Sequence, residues 1–317
     1  MKQETSMTMN TDITLDKTSH SVRSRPDELV PSRYAVQIGD IEVLVISDGV
    51  LPLPTKMLGH NVDPAARAAW LDDMFLPPDA FDWALNVVVV RSGGRTILID
   101  AGLGLDPDLH LPRAGQLIKR LEAAGIDLAS VTDVVLTHMH MDHVGGLLVD
   151  GVKDKLRPDL LIHVAAAEVK FWESPDFSRV VMPPGFPDAL RSTAKRFVKD
   201  YGSHLRQFDE EHQVAPGVMV RRTGGHTPRA QRGPPGVRRR RADVRRRRGV
   251  RGRVRPTRLA QRFRARPRGS GARSGSSFAG AAETGELLVA THLPFPSVGH
   301  VAVAGDAFRW VPVFWDY

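Results

Sequence analysis

The sequence predicts an α/β protein organised around one sizeable core, and three observations predict it. Runs of β-branched and aliphatic residues recur at 34–46, 86–100, 131–136, 160–164 and 218–223. Stretches with apolar residues at helical spacing stand between several of those runs. A chain of 317 residues with 42% hydrophobic content is long enough to bury one large core.

Taken in order, residues 1–32 are polar and non-periodic, with Pro26 and Pro31 breaking any helix, and read as a flexible leader to a domain spanning 33–317. Tyr34 to Gly49 reads as two strands joined at Gly39-Asp40. Asp63 is an N-cap for a short helix from Pro64 to Asp73. Asn86–Arg91 and Arg95–Asp100 flank Ser92-Gly93-Gly94 as a hairpin of buried strands. Leu117, Ile118, Leu121 and Ala124 share one face of a helix predicted over 111–125, and Gly125 ends it. The strand 131–136 follows, then a strand at 160–164 and a helix at 165–173. His163 alternates with apolar neighbours and reads as a satisfied core or edge residue. Phe171, Trp172 and Phe186, beside a proline-rich loop, form a satellite cluster on one reading and the wall of an apolar substrate pocket on the other. The last strand is predicted over 308–314, after a turn containing Asp306.

The chemistry concentrates in Thr137-His138-Met139-His140-Met141-Asp142-His143-Val144-Gly145-Gly146. Three histidines and an aspartate follow a buried strand, where a turn lets neighbouring side chains converge instead of alternating between sheet faces. Imidazole nitrogen and carboxylate oxygen are the donors that zinc and similar borderline cations accept. With no cysteine in the chain, thiolate ligands and disulfides are excluded. No apolar run approaches the about 20 residues that span a bilayer, and nothing resembles a signal peptide, so a soluble, cytoplasmic protein is expected.

The net charge of +8 is unevenly placed. Residues 229–273 hold nineteen arginines, no lysine and one acid, Asp243, a local net of +18 that leaves −10 for the rest. Apart from that segment the composition is that of an ordinary acidic enzyme, and the acidic remainder, with Phe263 the lone aromatic among the arginines, argues against a specific single-strand binding platform.

The histidine stretch and its surroundings resemble the metallo-β-lactamase-fold hydrolases, and within them the branch of lactonases and methyl-parathion-hydrolase-like enzymes. The resemblance runs from about Tyr34 to His226 and resumes near Glu283. It implies an αββα sandwich of two mixed β-sheets with the metals at a strand-end edge. It implies that His138, His140 and His226 hold one ion, and that Asp142, the candidate catalytic carboxylate, holds a second with His143 and His292. One or two Zn2+ ions are expected, with Mn, Fe or Co also compatible with the donor set. Asp100, closing a strand before Ala101-Gly102, is implied to hold a ligand histidine in its tautomer from behind. The activity implied is hydrolysis of a small-molecule ester, lactone or phosphotriester by metal-activated hydroxide; a homodimer is compatible with the pattern.

Between Arg229 and residue 282 the resemblance fails. A strand pair with a Gly-Asp whose carboxylate bridges the two metals is due there, and blocks such as Arg238–Arg241 and Arg245–Arg248 stand in its place. Arginine without lysine, mixed with Gly, Pro, Ala and Ser, is what GC-rich codons give out of frame. The segment is therefore read as frameshifted or disordered, which implies a weak second ion and impaired activity. The alternative is a genuine basic arm, on a nucleic-acid-binding or nuclease protein of the same fold. Asp243 and Asp306 are poor substitutes for the bridging residue, one among arginines and one after the last histidine.

Overall fold

The computed structural model describes residues 31–57, 62–104, 111–178, 180, 182–222, 262–263, 279–305 and 307–314. The expected leader up to residue 30, and the arginine-rich segment apart from Arg262–Phe263, lie outside the described residues.

The chain opens with β1 (Arg33–Ile38) and β2 (Ile41–Pro54), antiparallel about the Gly39-Asp40 turn. β2 runs past the expected end at Gly49, because its register with the next strand shifts between Ser47 and Gly49 and then continues. That irregularity frees Asp48 from the ladder and turns its side chain inward. Helix α1 (Pro64–Asp73) starts where predicted, the Asp63 carboxylate accepting from Ala65 N at 2.7 Å. β3 (Ala80–Ser92) begins at Ala80, earlier than the apolar run suggests, and pairs antiparallel with β2 and with β4 (Arg95–Ile99).

Helix α2 (Leu117–Ala123) is shorter than the predicted 111–125. Its first turn is claimed by Asp48, whose Oδ1 accepts from Leu117 N at 2.7 Å while its backbone carbonyl accepts from Gln116 N. Its end is as expected: the Gly125 and Ile126 amides fold back onto Glu122 O and Leu121 O, with Gly125 at φ 71°.

β5 (Asp133–Val135), α3 (Met141–Val144), α4 (Val152–Lys155), β6 (Leu161–Ala165) and α5 (Ala166–Glu173) come next. Helix α6 (Phe186–Tyr201), not foreseen from the proline-rich loop before it, buries Leu190, Ala194, Phe197 and Tyr201 along one face. The remaining strands are β7 (Leu205–Phe208), β8 (Glu211–Ala215), β9 (Val218–Arg221), β10 (Arg262–Phe263), β11 (Leu288–Val289), β12 (Val298–Ala304) and β13 (Ala307–Pro312).

Strands β1 to β7 form one sheet in chain order, antiparallel as far as β4 and parallel from β4 to β7. Because successive side chains alternate across a strand, each contributes to two cores. Val87, Val89, Leu98, Val134 and Ile162 face α2, α5 and α6; Val90, Ile97 and Val135 face Val214 and Ala215 of the β8–β9 hairpin. A second sheet, in the order β10-β13-β12-β11 and antiparallel throughout its described strands, has its own cluster at Ala281, Val301 and Trp310. This is the expected αββα fold, with one correction: the large sheet is mixed, but the described strands of the second sheet pair only antiparallel, with two-residue strands at both its edges. Among the described residues no helix is long and apolar enough to cross a membrane.

Candidate metal centre

The carboxyl ends of β4 and β5 lie side by side, and the loops leaving them are laced together. Asp100 N donates to Val135 O and Ala101 N to His143 O, each at 2.8 Å. Gly145 and Gly146 allow that closeness. A Cβ on Gly145 would fall 1.8 Å from Leu103 O, and one on Gly146 2.0 Å from Ala101 O. The pair of glycines after the last histidine of the motif is therefore required by backbone approach, which presses the His138–His143 turn onto the loop after β4. Open α/β sheets commonly place ligands at this carboxyl edge.

Asp142, His143 and His292 meet there, with one donor atom from each within 4.8 Å of the others. Asp142 Oδ2 lies 3.3 Å from His143 Nε2 and 3.7 Å from His292 Nε2. His138 Nε2 and His140 Nδ1 face each other at 2.9 Å, and the His138 ring packs against His143 with centroids 3.9 Å apart. His226, the third expected ligand of that pair, lies outside the described residues, as do Asp243 and Asp306.

Asp100 stands behind the cluster, 1% exposed. Its Oδ2 accepts from His143 Nδ1 at 2.8 Å, and its Oδ1 accepts from Thr137 N at 2.9 Å. In the neutral ring a proton on Nδ1 leaves the lone pair of His143 on Nε2, a buried atom with no hydrogen-bond partner among the described residues. Burial alone would pull the His143 imidazole down, but Asp100 and Asp142 outweigh it and raise it to about 10. Burial likewise opposes ionisation of Asp142, yet His143, His292 and His140 hold its carboxyl well below the usual range. His292 is lowered by burial, against the pull of Asp142. The negative potential that favours an imidazolium here equally favours a divalent cation. An orphaned imidazole nitrogen, an ionised carboxylate and a second imidazole make a donor set that fits such an ion.

The expected pocket residues divide. Phe171 is 3% exposed and Trp172 9%, both in the main core, and Phe186 is half-buried against that core. Trp172 nevertheless reaches the site edge-on, 5.8 Å from the His140 ring centroid. His163, taken as a core residue, is 3% exposed and its Nε2 donates to Asp133 at 2.8 Å.

Sequence reasoning missed four residues. Trp83 packs on His292 with centroids 4.7 Å apart, and nothing in the pattern singled it out. Glu168 Oε1 accepts from Met139 N at 2.9 Å and Trp172 Nε1 at 2.7 Å, tying the histidine turn to α5; an acid beside Phe171 and Trp172 on a buried helix was the available signal. Asn86, a polar residue opening the valine run of β3, donates to both carbonyls flanking His292. Asp48 is fully buried, accepts from Leu103 N and Leu117 N, and is pushed up by that burial to about 7.

Comparison with known proteins bears on the family and the fold. A ribonuclease Z of Mycobacterium marinum is 29% identical over 144 residues, covering 43% of this chain and 43% of that protein. A ribonuclease Z of Mycolicibacterium gilvum is 26% identical over 140 residues, 43% of this chain and 40% of its own length. The chain thus spans less than half the length of these relatives. Among solved structures, AidC, a dizinc quorum-quenching lactonase, superposes with a TM-score of 0.65 at 18% identity, covering 90% of this chain and 99% of that one. The hydrolase AbOPH of the β-lactamase superfamily does so with a TM-score of 0.69 at 20% identity, covering 92% and 100%. At these identities the likeness is one of fold. The family model described as the metallo-beta-lactamase superfamily matches residues 81–242, just over half of the sequence, from β3 through the histidine turn and on past β9. On that match, and with the αββα fold around the histidine turn, the chain belongs to the metallo-β-lactamase superfamily.

Proposed function

We propose that the chain is a metal-dependent hydrolase of a small ester, lactone or phosphotriester, on the lactonase and methyl-parathion-hydrolase-like side of the superfamily. The observation that carries the reading is the convergence of Asp142, His143 and His292, beside His138 and His140, on one strand-end edge with Asp100 behind. Asp142, His143 and His292 would hold one cation, and His138 and His140 would hold another together with His226. Zinc is the ion the nitrogen-rich donor set favours, with manganese, iron or cobalt compatible. When bound, such ions supply Lewis acidity and make water nucleophilic near neutral pH, so no serine or cysteine nucleophile is called for.

The chain's own residues prepare the site. Asp100 fixes the proton of His143 on Nδ1 and keeps Nε2 free to ligate. The neighbouring His143, His292 and His140 hold the Asp142 carboxyl low, which suits it to serve as a ligand and hydrogen-bond acceptor. Trp83 over His292 and Trp172 against His140 give the site aromatic flanks, which suit an apolar acyl or aryl group better than a hydrated polyanion.

A second reading, a nuclease acting on a phosphodiester, draws on the ribonuclease Z relatives and on the nineteen arginines between 229 and 273. One experiment separates the two. The purified chain, stripped with a chelator and reloaded with zinc, is assayed on a panel of aryl esters, lactones and phosphotriesters and on an RNA substrate at rising salt. Zinc-dependent turnover of the small substrates that is insensitive to salt supports the first reading. Turnover of RNA alone, falling steeply with salt, replaces it with the second.

A further inference from the structure

We propose that Asn86 is a positioning residue that holds His292 in place before a cation arrives, and thereby sets the affinity of the cation that His292 helps to bind. The proposal rests on the reading above of Asp142, His143 and His292 as ligands of one ion.

His292 sits in a short loop that is closed on itself. Ala290 N donates to Ser297 O at 3.0 Å, the Ser297 hydroxyl donates to Ala290 O, Leu293 N donates to Ala290 O at 3.3 Å, and Ser297 N donates to Pro294 O at 2.9 Å. Such a loop is rigid in itself but needs docking to aim its histidine. The docking comes from β3, 205 residues earlier in the chain. Asn86 Nδ2 donates to Thr291 O and to Leu293 O, each at 2.8 Å, and its backbone N donates to Thr291 O at 3.0 Å. One amide therefore grips the carbonyls on both sides of His292.

The same strand fixes the imidazole. Its Nδ1 donates to Ala84 O at 3.0 Å, which leaves Nε2 as the ligating atom, facing Asp142. The Trp83 ring closes the side. Two donors from one short side chain are what this clamp needs: serine offers one, aspartate none, and glutamine places its amide a methylene too far out. Asn86 is 2% exposed, and its Oδ1 has no partner among the described residues. The chain thus keeps a buried amide of which only the donor half is used, which points to those donors as the reason for it. A histidine held this way costs the cation no ordering of the loop, which is the general advantage of a preorganised ligand.

The test uses the full chain, with zinc as the probe and a chromophoric chelator as competitor. His292→Ala first identifies the cation that His292 serves, as the one whose affinity falls. Asn86→Ala should weaken that same cation about 10- to 100-fold, in the range usual for residues that orient a ligand from behind, and leave the other cation as it was. Asn86→Ser, with one donor, should fall between. In the His292→Ala background, Asn86→Ala should add no further loss, because it acts only through His292. Wild-type affinity in Asn86→Ala, or an equal extra loss in the double variant, overturns the proposal while leaving the metal site standing. A wild type that binds no zinc, or a His292→Ala variant that loses none, overturns the reading of the site and the proposal with it. Should neither Asn86 variant fold, amide exchange on the metal-free wild type decides. Protection at Ala290, Leu293 and Ser297 comparable to β3 supports a preformed loop; free exchange that slows only on adding zinc overturns it.

Discussion

Asp100→Asn isolates one carboxylate without disturbing its backbone. Asp100 has φ 60°, a left-handed conformation that asparagine tolerates nearly as well as aspartate, so the substitution changes charge and donor pattern alone. Asp100 now accepts three hydrogen bonds, from Thr137 N, the Thr137 hydroxyl and His143 Nδ1. Asparagine has one acceptor oxygen to meet them. If that oxygen stays on Thr137 N, its NH2 meets His143 Nδ1, which must give up its proton and carry it on Nε2, the atom that faces Asp142. The opposite flip sets the NH2 against the Thr137 amide, donor against donor. The first arrangement costs less, and it blocks the ligating nitrogen with a proton. Losing a charge-assisted bond of this kind is worth about 1.5–3 kcal/mol, and zinc affinity should fall about 10- to 100-fold. Chelator competition at fixed pH measures it, with circular dichroism to show that the fold is kept. Unchanged affinity in a folded Asp100→Asn chain would refute the argument that Asp100 sets the tautomer of His143.

Two further substitutions probe the frame around the site. Asp133 is fully buried and, although burial opposes its ionisation, bonds from His163, Arg95 and Thr132 lower it to about 2. Because the folded value lies below the ordinary 3.8, the stabilisation of about 2 kcal/mol is present above pH ~4 and lost as pH falls towards ~2. Urea midpoints of metal-free wild type and Asp133→Asn should therefore differ at pH 7 and converge below pH ~4; a constant difference would count against this account. Glu168→Ala orphans the buried Met139 amide and the Trp172 indole N–H, at about 1–3 kcal/mol each. A drop in thermal midpoint together with a change in Trp172 fluorescence is expected, and an unaltered indole environment would show that Glu168 does not hold that ring.

Much of this was readable from the chain, for reasons that differ by residue. The Asp63 cap, the Gly39-Asp40 turn and the Schellman end at Gly125 are local devices, decided within a few residues, and the structure has them where the sequence put them. The start of α2 was misjudged because Asp48, distant in sequence, takes its first amide. The cluster His138 to His143 is contiguous and declared itself. Asn86, Glu168 and Trp83 act across long separations, on a loop, a turn and a ring that pattern alone does not bring together. The twin glycines Gly145 and Gly146 belong between these cases: visible as letters, and intelligible only once the carbonyls of Leu103 and Ala101 stand against them.

The order of the large sheet has a kinetic side. From β1 to β7 every strand lies beside its neighbour in the chain, so each pairing closes a modest loop and can form as soon as its two strands exist. The grip of Asn86 on Thr291 and Leu293 closes a loop of a different scale. On loop-closure grounds the His138–His143 turn is expected to order before His292 docks, an order that pulsed amide exchange at residues 290–297 during refolding would check. A chain stalled before that docking would present the His138–His143 cluster without His292, and a divalent cation in excess would then meet only the ligands contributed by the turn.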